Sequence, residues 1–216
     1  MIAFGSESSE LLLIIKLFIL GMVPFLIAGG TCFIKFTVVF SLLKNAIGIQ
    51  QIPTNLTTNA IALMMTLFVM YPVYDNVFTY IKDNEVILDD SKSVDGFLVN
   101  GLASYKNYLI KYSDKELVSF FSNLNANRQE TTDENFSFIS YLPAYALTEI
   151  KSAFEIGFYL YLPFVIIDLI VSNILLALGM MMMSPVTISL PIKLILFVAI
   201  DGWSRVSQGL ILQYFQ

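Results

Sequence analysis

Leu178-Gly179-Met180-Met181-Met182-Met183-Ser184-Pro185 interrupts the most apolar half of the chain, and its reading decides how that half folds. Glycine ahead of the methionines and proline behind them are helix breakers, so the run is expected to be a bend between two apolar helices. Methionine is unbranched and polarizable and repacks at low cost. Four of them at a helix break suggest a deformable constriction or contact surface, or simple core filling, and not a catalytic centre.

Outward from this bend, the upstream segment from Pro143 to Met183 reads as one long helix. Proline suits a helix start, the first turns are amphipathic through Leu147, Ile150, Phe154 and Phe158, and the sequence is almost wholly apolar from Ile156 on. Pro163 should kink it. Downstream, Val186 to Ile200 forms a further apolar stretch that ends at Asp201-Gly202-Trp203, where Trp203 followed by Arg205 reads as an interfacial anchor. Toward the N-terminus, Leu11 to Leu43 is long enough to cross a bilayer and bends at Pro24 and Gly29-Gly30. A polar joint, Lys44 to Asn59, contains Gln51-Ile52-Pro53-Thr54 and reads as a helix stop and restart. Ala60 to Tyr74 follows, and about 15 residues rise only about 23 Å as a helix, scarcely a span.

Composition agrees with a membrane or membrane-complex protein: 56% of the 216 residues are hydrophobic and 13% charged, with a mean hydropathy of +0.73, against about 25% charged in soluble domains. The N-terminal residues carry Glu7 and Glu10 and no base, unlike a cleaved signal peptide. The segment Asp75 to Tyr141 differs in kind, because its eleven acids and six bases account for the whole net charge of −5. Within it Ser113-Asp114-Lys115-Glu116 has the form of a capping box ahead of a helix from about Asp114 to Asn125. Asn123 to Ser137 reads as a mobile loop. Lys35 and Lys44 flank the first joint; by the positive-inside rule they place it in the cytoplasm and the polar segment outside. The fold class expected is all-α: helical hairpins with about four long apolar helices and an inserted polar helical segment at about 75–141, in a single domain spanning 1–216.

Absence of histidine removes the usual general base, metal ligand and proton shuttle together. No Gly-x-Ser-x-Gly elbow occurs, so no enzyme is expected. Without clustered Lys and Arg, nucleic-acid binding is not expected either. Cys32, the single cysteine, reads as a small buried hydrophobe. Copper(I) favours thioethers, but consecutive helical residues point about 100° apart, so four neighbouring methionines cannot converge on one ion; no metal or other cofactor is expected. Asn55-Leu56-Thr57 and Asn135-Phe136-Ser137 match a glycosylation triplet with no other secretory mark beside them.

Lys16, Lys35, Asp168, Lys193 and Asp201 sit in or beside apolar runs, where an ionisable group needs a partner or water. Asp168 and Lys193, with Lys151 and Glu155 in the same helix as Asp168, are the candidates for buried charge pairing. One reading makes Asp168 and Lys193 part of an ion path; the other makes them a structural bridge. No second carboxylate lies near Asp168 in sequence, which leaves a pump under-equipped.

Further stretches carry a family likeness: Pro143-Ala144-Tyr145-Ala146-Leu147-Thr148-Glu149-Ile150-Lys151, Pro163-Phe164-Val165-Ile166-Ile167-Asp168, Leu178-Gly179-Met180, Pro185-Val186-Thr187-Ile188-Ser189-Leu190-Pro191-Ile192-Lys193 and Phe197-Val198-Ala199-Ile200-Asp201-Gly202-Trp203. With Gly30-Thr31-Cys32-Phe33 and Gln50-Gln51-Ile52-Pro53 they closely resemble the FliP/SctR family, and Cys32 and the four methionines resemble its virulence injectisome branch. Glu155 departs from the pattern, where lysine is expected more often.

The resemblance implies an inner-membrane export-apparatus subunit of a bacterial type III secretion system. It implies a homo-oligomer, a pentamer, joined by the other small export-apparatus membrane subunits and traversed by unfolded secreted proteins. It further implies that Met180, Met181, Met182 and Met183 gate the pore, with Gly179 and Pro185 as the hinge, and that the polar segment is periplasmic. The alternative is a small secondary transporter or ion channel that uses Asp168 and Lys193.

Overall fold

The computed structural model describes residues 13–14, 17–18, 21–22, 24–25, 27–49, 51–84, 96–126, 134–180 and 182–215. Among them the regular elements are all helical. In chain order these are α1 (Phe33–Ile47), α2 (Asn55–Asn84), a π-helical turn (Phe97–Gly101), α3 (Ala103–Tyr112), α4 (Lys115–Ala126), α5 (Glu134–Ala177), α6 (Pro185–Ala199) and α7 (Gly202–Leu212). Lys16, Met181 and residues 127–133 of the expected loop lie outside the described residues.

Local chemistry explains the joints. Gly48 ends α1 with φ +92° and donates its N–H to the Lys44 carbonyl, a left-handed stop that costs glycine little. Thr54 then starts α2, its hydroxyl accepting the Thr57 N–H at 3.3 Å. Past Tyr74 the sequence lacks glycine and proline until Gly96, and Asp75 and Asn76 alone do not stop a helix. The second apolar stretch is therefore not short: α2 runs 30 residues, about 45 Å. Likewise Pro143 does not start its helix. It lies inside α5, which begins at Glu134 and also contains Pro163, and residues 134–137 are helix where a loop was expected.

Register follows from a few contacts. Along α1 and α5, Lys35 faces Glu149 and the Leu42 side chain occupies the space that a Cβ on Gly157 would take, while Leu43 packs with Phe164. The two helices run side by side in the same direction. α2 runs antiparallel to α1, with Asn55 beside Lys44 at one end and Met70 beside Ile27 and Thr31 at the other. Beyond the bend, α6 returns antiparallel to α5, bringing Leu190 against Gly48 and Lys193 against Ala46.

The helix path then turns by 60° between α6 and α7, where Asp201 adopts φ 52°. Trp203 packs its ring on Phe40 and Phe197, with centroids 6.0 and 5.5 Å away, so it is half-buried in the helix contact instead of standing free as an anchor. Among the described residues two helices are long and apolar enough to cross a bilayer, Asn55–Asn84 and Ser140–Ala177, and α6 with α7 makes a third if the bent pair is one span.

The polar segment is docked, not detached. Tyr105, Tyr108 and Tyr112 occupy one face of α3 at three- and four-residue spacing. Tyr105 donates to the Gly30 carbonyl at 2.7 Å, Tyr108 and Tyr145 share a 2.7 Å hydrogen bond, and Tyr112 donates to the Tyr214 carbonyl at 2.8 Å. Burial pushes the Tyr105 and Tyr108 phenols above their usual range, which keeps them neutral. The expected capping box is displaced by one residue. Asp114 caps α4, its Oδ1 accepting the Glu116 N–H at 2.9 Å, and the Ser113 hydroxyl is buried without a hydrogen-bond partner among the described residues. Thr148 takes the Asp114 N–H at 2.9 Å, and that bond fixes the chain one residue past the sequence expectation.

Candidate functional site

Among the described residues, α5 and α6 alone continue above the level of Ala46. From Asp168 to Ala177 is about 14 Å of helix, so the two helices project past the Gly48–Thr54 joint as a narrow hairpin. Val171, Leu175 and Ser189 are its buried residues, whereas Leu169, Ile170, Ile174, Leu176, Val186 and Ile192 on its flanks are exposed. Its sides are therefore apolar and uncovered, an arrangement expected of a contact surface.

A Schellman stop closes α5 at the hairpin tip. Gly179 takes φ +73° and donates to the Leu176 carbonyl, and Met180 donates to Leu175, both at 3.0 Å. Met183 N–H then closes a turn onto the Met180 carbonyl at 3.2 Å, and Pro185 is the first residue of α6. Met182 is fully exposed; Met180 and Met183 are 43% and 49% exposed. The thioethers of Met180, Met182 and Met183 thus stand on the outside of the turn. No atom lies within 4 Å of where a Cβ on Gly179 would stand, so the glycine there answers to backbone conformation and not to crowding.

At the hairpin base Lys193 Nζ lies 2.6 Å from Asp168 Oδ2 and 3.2 Å from the Ala46 carbonyl. The lysine side chain is 9% exposed and the aspartate 42%, while Asp168 Oδ1 is buried with no hydrogen-bond partner among the described residues. The bridge ties α6 to α5 and to the end of α1 at one point. Lys151 and Glu155 do not join it. Both are exposed on α5, and Lys151 reaches Asp114 at 3.4 Å instead. Their four-residue spacing suits a local helix pair, but that face of α5 points to the outside. Among the described residues no group of three or more His, Cys, Asp and Glu side chains is gathered that could hold a metal.

A second set of charges is more deeply buried. Lys35 Nζ lies 3.1 Å from Glu149 Oε1 and 4.7 Å from the Tyr214 ring centroid, and Tyr214 donates its hydroxyl to Glu149 Oε2. Lys44, also buried, donates to Asn55 Oδ1 at 2.9 Å. Lys35 and Lys44 are the residues on which the positive-inside argument rested. Lys35 is paired three turns from the joint, and neither is a loop charge.

Helical path, methionine turn and bridge now stand beside the sequence match, which covers residues 16–210 with the FliP family. The chain belongs to the FliP family. It is 56% identical over 204 residues to the surface presentation of antigens protein SpaP of Salmonella typhi, covering 89% of this chain and 91% of that one. With the Yop proteins translocation protein R of Yersinia pestis it shares 46% over 209 residues, 95% and 96% of the two chains. The harpin secretion protein HrcR of Erwinia amylovora is 37% identical over 199 residues, 90% and 92% of the two. This FliP-family chain has a role in the export apparatus of type III secretion.

In this member of the FliP family the Lys35–Glu149–Tyr214 cluster was not foreseen. Its signal was present: Lys35 is a charge inside an apolar run, and Glu149 occupies a helix position two residues from Lys151, hence on another face. The partner could not be named without the register between α1 and α5.

Proposed function

We propose that this chain is a non-enzymatic, pore-forming subunit of the export gate, through which unfolded substrate proteins enter the secretion channel. Several copies, in the arrangement the family resemblance implies a pentamer, surround an axis together with the other small membrane subunits of the apparatus, in the bacterial inner membrane with the polar segment on the periplasmic side. Each copy contributes its projecting hairpin, and the thioethers of Met180 to Met183 meet as a deformable seal. Gly179 and Pro185 fix the bend that presents them.

A single observation carries this reading: the methionine turn caps a hairpin whose apolar flanks are exposed among the described residues. Neighbouring copies would cover those flanks, and the outward thioethers would then be brought together. Flexible, polarizable side chains can close around nothing and re-form around a passing chain. Replacing Met180 to Met183 by alanine in the assembled apparatus tests it. Ion or small-solute leak across the inner membrane is expected, and an assembled, tight and fully secreting variant would count against the seal.

The transporter reading draws on the Asp168–Lys193 bridge and the unpartnered Oδ1 of Asp168. It predicts that alanine at the methionines is nearly silent, so the same measurement separates the two.

A further inference from the structure

A groove of about 380 Å³ runs between α5 and the α6–α7 bend, within the range of about 300–1,000 Å³ usual for small-ligand sites. One wall is α5, through Ile156, Leu160 and Pro163, and the far end is closed by Leu196 and Ile200. The floor is one stripe of α7, Gly202, Arg205, Val206, Gly209 and Leu210, continued by Gln213 just past its end. A Cβ on Gly209 would meet no atom within 4 Å, so the furrow over this residue is open space.

The lining is apolar except for Arg205 and Gln213. Arg205 is exposed and makes no ion pair among the described residues. Asp201, one turn earlier, accepts the Ser204 hydroxyl at 2.9 Å instead. A guanidinium is always charged and matches phosphate oxygens with paired donors. Covering it with an apolar protein face would strand the charge, at a cost of several kcal/mol. A long hydrocarbon chain ending in a phosphate satisfies groove and cation together.

We propose that this groove binds an anionic phospholipid, one acyl chain lying over Gly209 between α5 and α7 and the headgroup phosphate on Arg205. The site is independent of the gate reading, because it uses no residue of the methionine turn or of the Asp168–Lys193 bridge.

Trp203 is this chain's only tryptophan and neighbours Gly202 on the groove floor, so with the partner subunits' tryptophans replaced by phenylalanine its fluorescence reports an occupant. The full chain, co-purified with its partner subunits, is placed in phosphatidylcholine nanodiscs and titrated with phosphatidylglycerol or phosphatidylcholine brominated on the acyl chain. Quenching is expected at about fivefold lower mole fraction for phosphatidylglycerol, the selectivity that one basic residue supplies at a membrane surface. Arg205→Gln should remove that preference while leaving weak quenching by both lipids. Gly209→Phe should block quenching by either, and retained assembly on native mass spectrometry is its folding control. Inorganic phosphate should not reverse the quenching; reversal would assign the guanidinium to free phosphate. Equal quenching by the two lipids in the unsubstituted chain, or a preference that survives Arg205→Gln, overturns the proposal. So does disulfide-linked dimer through Gly209→Cys in a Cys32→Ala background, since it would show a second copy seated in the groove.

Discussion

Lys35 and Glu149 face each other at 3.1 Å across the contact of α1 with α5, their side chains 7% and 2% exposed. The pair joins a helix near the start of the chain to the middle of the longest helix, and Tyr214 near the C-terminus completes it. Three separated segments thus meet on one carboxylate.

Removing one partner is expected to cost about 3–5 kcal/mol, because the other charge stays buried and unpaired. Glu149→Ala should be the worse of the two single substitutions. In Lys35→Met the carboxylate keeps the Tyr214 hydroxyl, whereas in Glu149→Ala the ammonium keeps only the Tyr214 ring. Thermal unfolding of the detergent-solubilised complex measures both. Lys35→Met with Glu149→Leu should recover most of the loss, and a double variant less stable than either single one would mean that the pair is not a structural unit.

Asp168 and Lys193 should behave asymmetrically. Lys193 is buried and Asp168 half-exposed, so Asp168→Ala strands a cation while Lys193→Met leaves a carboxylate that water reaches. The first is expected to approach the cost of breaking a buried pair, about 3 kcal/mol, and the second to stay near that of an exposed one, about 1 kcal/mol. Assembly yield and secretion follow the same order. Recovery in Asp168→Asn with Lys193→Met supports a structural bridge; a double variant that assembles but conducts no ions would favour the transporter.

The start of α4 should depend on pH. The Glu116 N–H, and after it Lys151, hold the Asp114 carboxyl below its ordinary value of 3.8. A depressed carboxyl contributes stability that is present above its unfolded pKa and is lost as pH falls through the lower, folded one. Protection of the Glu116 amide against hydrogen exchange, taken relative to the intrinsic rate at each pH, should therefore hold at neutral pH and be lost only below 3.8. Asp114→Asn should flatten the profile, since an amide oxygen still caps but does not titrate. Loss of protection well above that value would assign it elsewhere.

What the sequence made legible were features local in the chain. The apolar runs, the bend at Gly179 and Pro185, and the change of composition after Asp75 each declare themselves within a few turns. Helix ends were less legible: α2 continues through Asp75 and α5 begins before Pro143, because residues that discourage a helix do not stop one when nothing nearby offers an alternative. Pairing across helices was legible only in part. Asp168 and Lys193 flank one hairpin, so their meeting follows from the bend; Lys35 and Glu149 meet only through the register that Leu42 and Gly157 set. Lys151 and Glu155 share a helix with Asp168 without joining its pair, because membership of a helix does not say which face is inside.

Fold and seal can be separated at the turn itself. Gly179 holds φ +73° with open space around it, so a side chain there is opposed by its own backbone and not by neighbours, at about 1–2 kcal/mol. Asparagine, which enters the left-handed region most readily after glycine, should be tolerated best, then alanine, and valine least. Stability of the complex is expected to fall in that order. Met182 is the opposite case: its side chain is fully exposed, and Met182→Ala removes no packing contact among the described residues. Its thermal midpoint should be unchanged while leak through the assembled gate rises. If leak instead tracks stability across both sets, with Met182→Ala as tight as the parent, the methionines shape the turn and the seal lies elsewhere.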